Sequence, residues 1–538
     1  MPILPLLLAL QVAATPVAQS PLPPTLVVLI TVDQLRPDYF DRFKGQLTGG
    51  LGRLYRGGAV FTNAHQDHAM TETAPGHAST LSGRFPRSTG IVQNDAGVGD
   101  AQSPLIERGV GPGASPYRFR GTVLIDWMRL RDARSRALSV SRKDRGAILP
   151  LGRAKQSVFW WSLDARFVTS TYYADSLPSW VRAFNARRTA QNMAGRAWTP
   201  LLADSAYSEP DSVPQEADGK NIAFPHVMPA DTAAAKLAFG NFPWMDDATI
   251  ALALDGVQAT GIGSSASHVD LLAVSLSSTD IIGHAYGPDS RELHDQIVRL
   301  DRVLGVFLDS LFRLRDSTRI VIALTSDHGV QPIPGVRSHD PTPGGRRVVL
   351  DTLLRATRAA LASRGVDSAA FLFDDGVLML NRAVFERAKV NADSLVRDFA
   401  AAVRRVPGVL RTDTYAGLQR ADTVRDRLAL RWLRMFPDDR RPALVVTLRP
   451  YNIWYPRGAS HGSPHDLDTH VPIILYGASY IEPGTYRARA AVVDLGPTLA
   501  AIAGVVPVER VDGKVLRAAL RTPPGVPRRA ARPRRSSP

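Results

Sequence analysis

Five short apolar runs rich in β-branched residues punctuate this chain, and three of them are followed within a few residues by an aspartate. The runs are "TLVVLITVD" (Thr25 to Asp33), "HVDLLAVSLSS" (His268 to Ser278), "RIVIALTSDHG" (Arg319 to Gly329), "ALVVTLRP" (Ala443 to Pro450) and "VPIILYG" (Val471 to Gly477). Continuous apolar strands alternating with helical stretches argue for a sheet buried on both faces, hence an α/β fold with a largely parallel central sheet flanked by helices. Between Ser290 and Arg315, Leu293, Ile297, Leu300, Val303, Leu304, Phe307, Leu308 and Leu311 recur at helical spacing and predict one covering helix. In open α/β sheets, ligands bind beyond the carboxyl ends of the strands. Asp33, Asp280, and Asp327 with His328 fall at three such ends, so acidic groups distant in sequence are expected to converge there.

The chain has no cysteine, which excludes disulfides and thiolate metal sites. Any metal must be held by His, Asp and Glu. "STDIIGHAYG" sets Asp280 and His284 four apart, and "TSDHG" sets Asp327 beside His328. With Asp33 from "TVDQLRPD" and His461 from "ASHGSPHDLDTH", the set becomes three Asp and three His. Two divalent ions with about three protein ligands each, and positions left open for substrate, suit catalytic zinc held by oxygen and nitrogen.

The first residues run apolar from Ile3 to about Ala14 and then turn to small residues and proline, the pattern of a secretory leader over 1–20. That run is too short to span a bilayer, which needs about 20 apolar residues. A periplasmic or secreted protein is therefore expected, with no transmembrane helix beyond a possible leader. The net charge of +15 invites a nucleic-acid reading, but the basic residues are scattered except in the Arg/Pro-rich end at 521–538. Without interleaved aromatics, that end reads as a disordered tail with no specific nucleic-acid partner. Between leader and tail, one catalytic unit is expected over 24–520, with inserted lobes at about 146–265 and 344–442 around the strand ends.

The stretch "HAMTETAPGHASTLSGRFPRSTGIVQND", His68 to Asp95, is dense in hydroxyls, and hydroxyls alone are common in turns. Taken with the Asp/His set, however, it resembles the alkaline phosphatase superfamily. The similarity is to the branch that contains nucleotide pyrophosphatase/phosphodiesterases and the Thr-nucleophile alkaline phosphatases of bacterial periplasms, and it covers Thr25 to about Leu516. In "TETAPGHAS" the resemblance makes Thr73 the nucleophile, and Asn94 in "IVQND" the amide that hydrogen-bonds a phosphoryl oxygen. "TDIIGHAYG", "TSDHG" and "SHG" match the metal-binding motifs. The resemblance implies one ion on Asp33, Asp327, His328 and the Thr73 oxygen, and a second on Asp280, His284 and His461. His465 and His470 compete with His461, which is preferred because Gly follows it. His77 is expected to orient the Thr73 loop, with Asp468 and His470 supporting the ligands.

One pair separates the branches. "SVSRKDRGAILP" holds Lys143 and Arg145 in the K-x-R arrangement that the Thr-type phosphatases place over the substrate. A monoester dianion offers these cations an extra charged oxygen, which a diester replaces with an alkoxy group. The expectation is an exported alkaline phosphatase acting on small phosphate monoesters through a phosphothreonine at two zinc ions. A phosphodiesterase or nucleotide pyrophosphatase on the same fold is the alternative. Sulfatases and the metal-dependent phosphoglycerate mutases fit the residues less well. A non-catalytic binding protein would not need the phosphate-binding cations.

Overall fold

The computed structural model describes residues 22–336 and 345–521. The leader at 1–20 and the basic tail beyond Arg521 lie outside the described residues.

A nine-stranded sheet organises the chain. Its strands are β1 (Leu26–Val32), β2 (Ala59–Phe61), β3 (Ala137–Ser141), β4 (Ser157–Trp161), β5 (Phe167–Val168), β6 (Asp270–Leu276), β7 (Ile320–Thr325), β8 (Ile473–Tyr476) and β9 (Gly484–Tyr486). Their spatial order is β9-β2-β8-β7-β1-β6-β3-β4-β5. The central strands β7, β1, β6, β3 and β4 are parallel, while β8 runs antiparallel to both β7 and β2. Both faces are buried, as the continuous apolar runs require. Val28, Ile30 and Val32 of β1 join one core with Ile322 and Leu324. Val27 and Leu29 join the opposite core with Val321 and Ala323.

The run from Ala443 to Pro450 departs from the expected sheet. Leu444–Leu448 belongs to a separate four-stranded antiparallel sheet, between Val377–Leu380 and Val409–Thr414, with Phe371–Asp374 outermost. Leu444, Val446 and Leu448 pack on Phe399 and Val403 of the helix Ala392–Arg404, whereas Val445 packs on the other side with Trp432. A strand covered on both faces has the same apolar pattern in either sheet, so the run alone does not reveal which sheet it joins.

Five helices matter for the site: α1 (Thr73–Ser82), α2 (Asp144–Ile148), α3 (Trp244–Thr260), α4 (Ser278–Tyr286) and α5 (Arg291–Leu314). The helix expected over Ser290 to Arg315 is α5, capped by Ser290 Oγ accepting the Leu293 N–H at 3.1 Å. Its leucine and phenylalanine stripe lies in the core with α3 and the sheet. No helix among the described residues is long and apolar enough to cross a membrane.

The parallel register fixes where the polar strand ends meet. β1 residues Leu26 to Val32 pair with Asp270 to Leu276, and Leu26 to Thr31 pair with Ile320 to Thr325. Asp33 therefore stands level with Asp327 on one side and with the start of α4 on the other.

Candidate active site

Three loops leaving parallel strands deliver the carboxylates. Asp33 follows β1, Asp327 follows β7, and Asp280 lies in the first turn of α4, which starts directly after β6. All three are essentially buried. On α4, the four-residue spacing puts His284 on the same face as Asp280, with Nε2 at 3.2 Å from Asp280 Oδ1. His461 arrives from the loop before β8, with its Nε2 3.1 Å from His284 Nε2. The His328 and His461 rings stack with centroids 3.6 Å apart.

The histidines share one anchoring pattern. His284 Nδ1 donates to the Ala459 carbonyl at 2.8 Å, His461 Nδ1 to the Thr71 carbonyl at 2.7 Å, and His328 Nδ1 to the Gly329 carbonyl at 3.0 Å. A carbonyl only accepts, so each neutral ring keeps its proton on Nδ1 and turns an Nε2 lone pair inward. Those lone pairs face carboxylates, with His328 Nε2 lying 3.4 Å from Asp33 Oδ1. Asp33 Oδ1, Asp327 Oδ2 and His328 Nε2 are buried and form no hydrogen bond. Acceptors facing acceptors in a buried place fit cations between them. Two groups have donor atoms all within 4.8 Å of one another: Asp280, His284 and His461, and Asp33, Asp280 and His328. Asp280 thus belongs to both, and Asp327 stands beside the second through its position next to His328.

Electrostatics follow from this crowding. Burial, then the charges of Asp280 and Asp327, push the Asp33 carboxyl well above its ordinary range against the pull of Lys143. For Asp280, burial also opposes ionisation, but Lys143 and His284 outweigh it and hold the carboxyl well below that range. Lys143 is buried, and its ammonium lies 2.6 Å from Asp280 Oδ2, contacts Asp33 Oδ2, and donates to Thr73 Oγ1 at 3.2 Å.

Thr73 opens α1, so its hydroxyl sits at the positive end of a ten-residue helix. His77, one turn on, has Nδ1 2.9 Å from the Thr73 carbonyl and Nε2 2.9 Å from Ser275 Oγ, and so ties α1 to β6. Gly76 lies so close to the next loop that an added Cβ would come within 2.3 Å of the Asp327 carbonyl oxygen. Asn94 Oδ1 accepts the Ala74 N–H at 2.9 Å, which leaves its NH2 group as a donor toward the cavity. That cavity, about 440 Å³, is lined by Thr73, Asn94, Arg142, Lys143, Arg145, Asp280, His284 and His461 among others. Arg145, on the first turn of α2, reaches it with an Nε that has no hydrogen-bond partner.

The competing histidines point elsewhere. His465 Nε2 contacts the Leu448 carbonyl at 2.7 Å, and His470 Nε2 the Thr62 carbonyl at 3.0 Å. Asp468 lies behind the Asp327 loop. Its backbone carbonyl accepts the Gly329 N–H at 2.7 Å, and its Oδ2 accepts from Gln331 Nε2 at 3.0 Å.

Several residues at the site gave no signal in the sequence. Gln34 is buried, adopts φ 68°, and bonds to two of the three carboxylates. Glu72 accepts the Asn94 N–H at 2.7 Å, and burial pushes its carboxyl up to about 8. Asp67 contacts Arg427, Arg431, Arg434 and Arg489, joining the loop before α1 to the helix Arg427–Leu433. Each is an isolated polar residue without periodicity, and only the three-dimensional neighbourhood gives it meaning.

A sheet edged in this way, with a hydroxyl at a helix start facing clustered Asp and His, is the fold of an alkaline phosphatase. The crystal structure of wild-type alkaline phosphatase PafA superimposes with a TM-score of 0.85 at 25% identity, covering 93% of this chain and all of that one (100%). The chain belongs to the type I phosphodiesterase / nucleotide pyrophosphatase family, which it matches over residues 27–102 and 143–451. Among full-length relatives, alkaline phosphatase PhoV of Synechococcus elongatus is 29% identical over 92% of both chains. Alkaline phosphatase PafA of Elizabethkingia meningoseptica is 27% identical, over 89% of this chain and 91% of its own.

Proposed function

We propose that this protein is an exported, zinc-dependent alkaline phosphatase that hydrolyses phosphate monoesters through a phosphothreonine on Thr73. The observation that carries this reading is the meeting of Thr73, Asn94, Lys143 and Arg145 in the same cavity as Asp280, His284 and His461, with the second Asp/His group joined to the first through Asp280. Export rests on the apolar leader at 1–20, and the catalytic unit is taken as 24–520 with lobes at about 146–265 and 344–442.

Asp33, Asp327, His328 and Thr73 would hold one zinc ion, and Asp280, His284 and His461 the other. When bound, the two ions supply Lewis-acid stabilisation of phosphoryl charge and lower the pKa of the attacking hydroxyl and water. The chain's own groups do the rest. Thr73 Oγ1 forms the new bond to phosphorus as the ester P–O bond breaks and the alcohol leaves. Water then cleaves the phosphothreonine, releasing inorganic phosphate and restoring the Thr73 hydroxyl. The Asn94 amide donates to one nonbridging oxygen, and Lys143 and Arg145 engage the others. His77, bonded to the Thr73 carbonyl, keeps the start of α1 in place. Phosphoryl transfer asks a protein chiefly for positioning and charge stabilisation, and these contacts provide both.

The test compares, on zinc-loaded protein, a phosphate monoester and a matched diester with the same leaving group. A strong monoester preference supports the proposal. A diester preference overturns the substrate class and makes the protein a phosphodiesterase.

A further inference from the structure

We infer that Gln34 is a positioning residue that couples the two ligand groups, so that ordering one of them orders the other. This rests on the ligand set proposed above.

Gln34 follows Asp33 and is 1% exposed. Its backbone N–H donates to Asp327 Oδ1 at 3.1 Å, and its side-chain Nε2 donates to Asp280 Oδ1 at 2.9 Å. One residue thus grips a carboxylate from each group while its neighbour, Asp33, supplies the third. The two bonds act on different parts of the residue, so a shift of one carboxylate is passed through the Gln34 backbone to the other. The Asp327 oxygen it holds also accepts the His328 N–H at 3.0 Å, which leaves Oδ2 as the atom turned inward.

Two further observations show that this placement is imposed by the fold. Gln34 has φ 68°, a left-handed conformation that costs a non-glycine residue of order 1 kcal/mol and persists only where the surroundings demand it. The next residue is pinned as well, since Leu35 N–H donates to Ser326 Oγ at 2.9 Å. On the other side, α4 meets the amide with a glycine: a Cβ on Gly283 would lie 1.9 Å from Gln34 Oε1. Gly283 lies inside α4, between Asp280 and His284, and its backbone accepts alanine. A methyl group there would push aside the end of a flexible side chain, so Gly283→Ala is a tool for moving the Gln34 amide without deleting it.

The experiment measures zinc stoichiometry and affinity by competition with a chromophoric chelator, with circular dichroism to verify folding, for wild type, Q34A, G283A and Q34A/G283A. Residues that orient metal ligands typically contribute 10- to 100-fold to affinity, so each single variant should bind zinc about 10-fold more weakly. The double variant should be no weaker than either single one, because both act through the same amide. Wild type should take up its two ions in one cooperative step, and Q34A in two resolved steps. Unchanged affinity in folded Q34A, or losses that add in the double variant, overturns the role of Gln34 while leaving the ligand assignment standing. A wild-type protein that binds no zinc overturns both.

Discussion

The Nε2 atoms of His284 and His461 lie 3.1 Å apart although each ring has its proton on the opposite nitrogen, donated to the carbonyls of Ala459 and Thr71. Two imidazole nitrogens held this close beside Asp280 suit a cation shared between them. Dialysis against a chelator should therefore abolish hydrolysis and zinc should restore it. His461→Ala should lower zinc content by about one ion per chain, with affinity weakened by more than about 10-fold, read by elemental analysis and chelator competition.

Thr73→Ala removes the proposed nucleophile while leaving the histidines and carboxylates in place. Loss of a nucleophile costs several orders of magnitude, so kcat should fall by more than about 1,000-fold with zinc content near normal. Mass spectrometry of acid-quenched wild type should find phosphate on Thr73. An active Thr73→Ala enzyme would remove this residue from the chemistry.

Lys143 and Arg145 should act on charge rather than on the leaving group. Replacing both with alanine should lower monoester kcat/KM by about 100-fold or more, a scale typical of losing donors to developing charge, and diester kcat/KM by much less. Rates on the matched substrate pair decide this. Equal losses would separate the two cations from monoester selection.

Gly76 sets the distance between α1 and the Asp327 loop. Because the obstacle to a Cβ is a backbone oxygen at 2.3 Å, Gly76→Ala must push the two segments apart. Overpacking of this kind costs about 1–3 kcal/mol, and thermal melts should show the loss together with reduced activity.

Asp67 predicts a pH dependence of stability. Burial opposes its ionisation, but Arg434, Arg489 and Arg431 outweigh burial and hold its carboxyl well below the ordinary range. Since the folded pKa lies below the unfolded value of about 3.9, the stabilisation is fully present above that value and is lost as pH falls through the folded pKa. Asp67→Asn should cost about 3 kcal/mol at pH 7, the scale for breaking a buried ion pair. The difference in Tm from wild type should shrink below about pH 4. A gap constant with pH would show that packing, not charge, makes the difference.

The carboxylate candidates and His328 were legible in the sequence because they follow apolar strands, and strand ends are where open α/β sheets gather polar groups. His461, in the loop before β8, was legible only through the resemblance of its "SHG" motif. The limits of that reading are equally physical. The Ala443 to Pro450 run looked like a strand of the main sheet because burial on both faces erases any mark of which sheet covers it. The sequence pattern led to β1, β6 and β7, but not to β3 and β4, which are only five residues each and hold Ser139, Ser141 and Ser157 among their apolar positions. Gln34 was invisible for a different reason. Its importance lies in a left-handed backbone and in the missing methyl group of a glycine on α4, the helix that follows the neighbouring strand, and neither leaves a periodic trace.

The central position of β1 has a consequence for how the protein comes to life. β1 is synthesised well over two hundred residues before both strands that flank it, β6 and β7. Pairings between such distant segments form slowly, because a long loop must close before any contact rewards it. A growing chain therefore bears Asp33 and Thr73 well before it possesses Asp280, Asp327 or His461 to set beside them. The Thr73 hydroxyl meets Asp280, Asp327 and His461 only when the sheet closes around β1, so the site is assembled last, after the distant strands have been made.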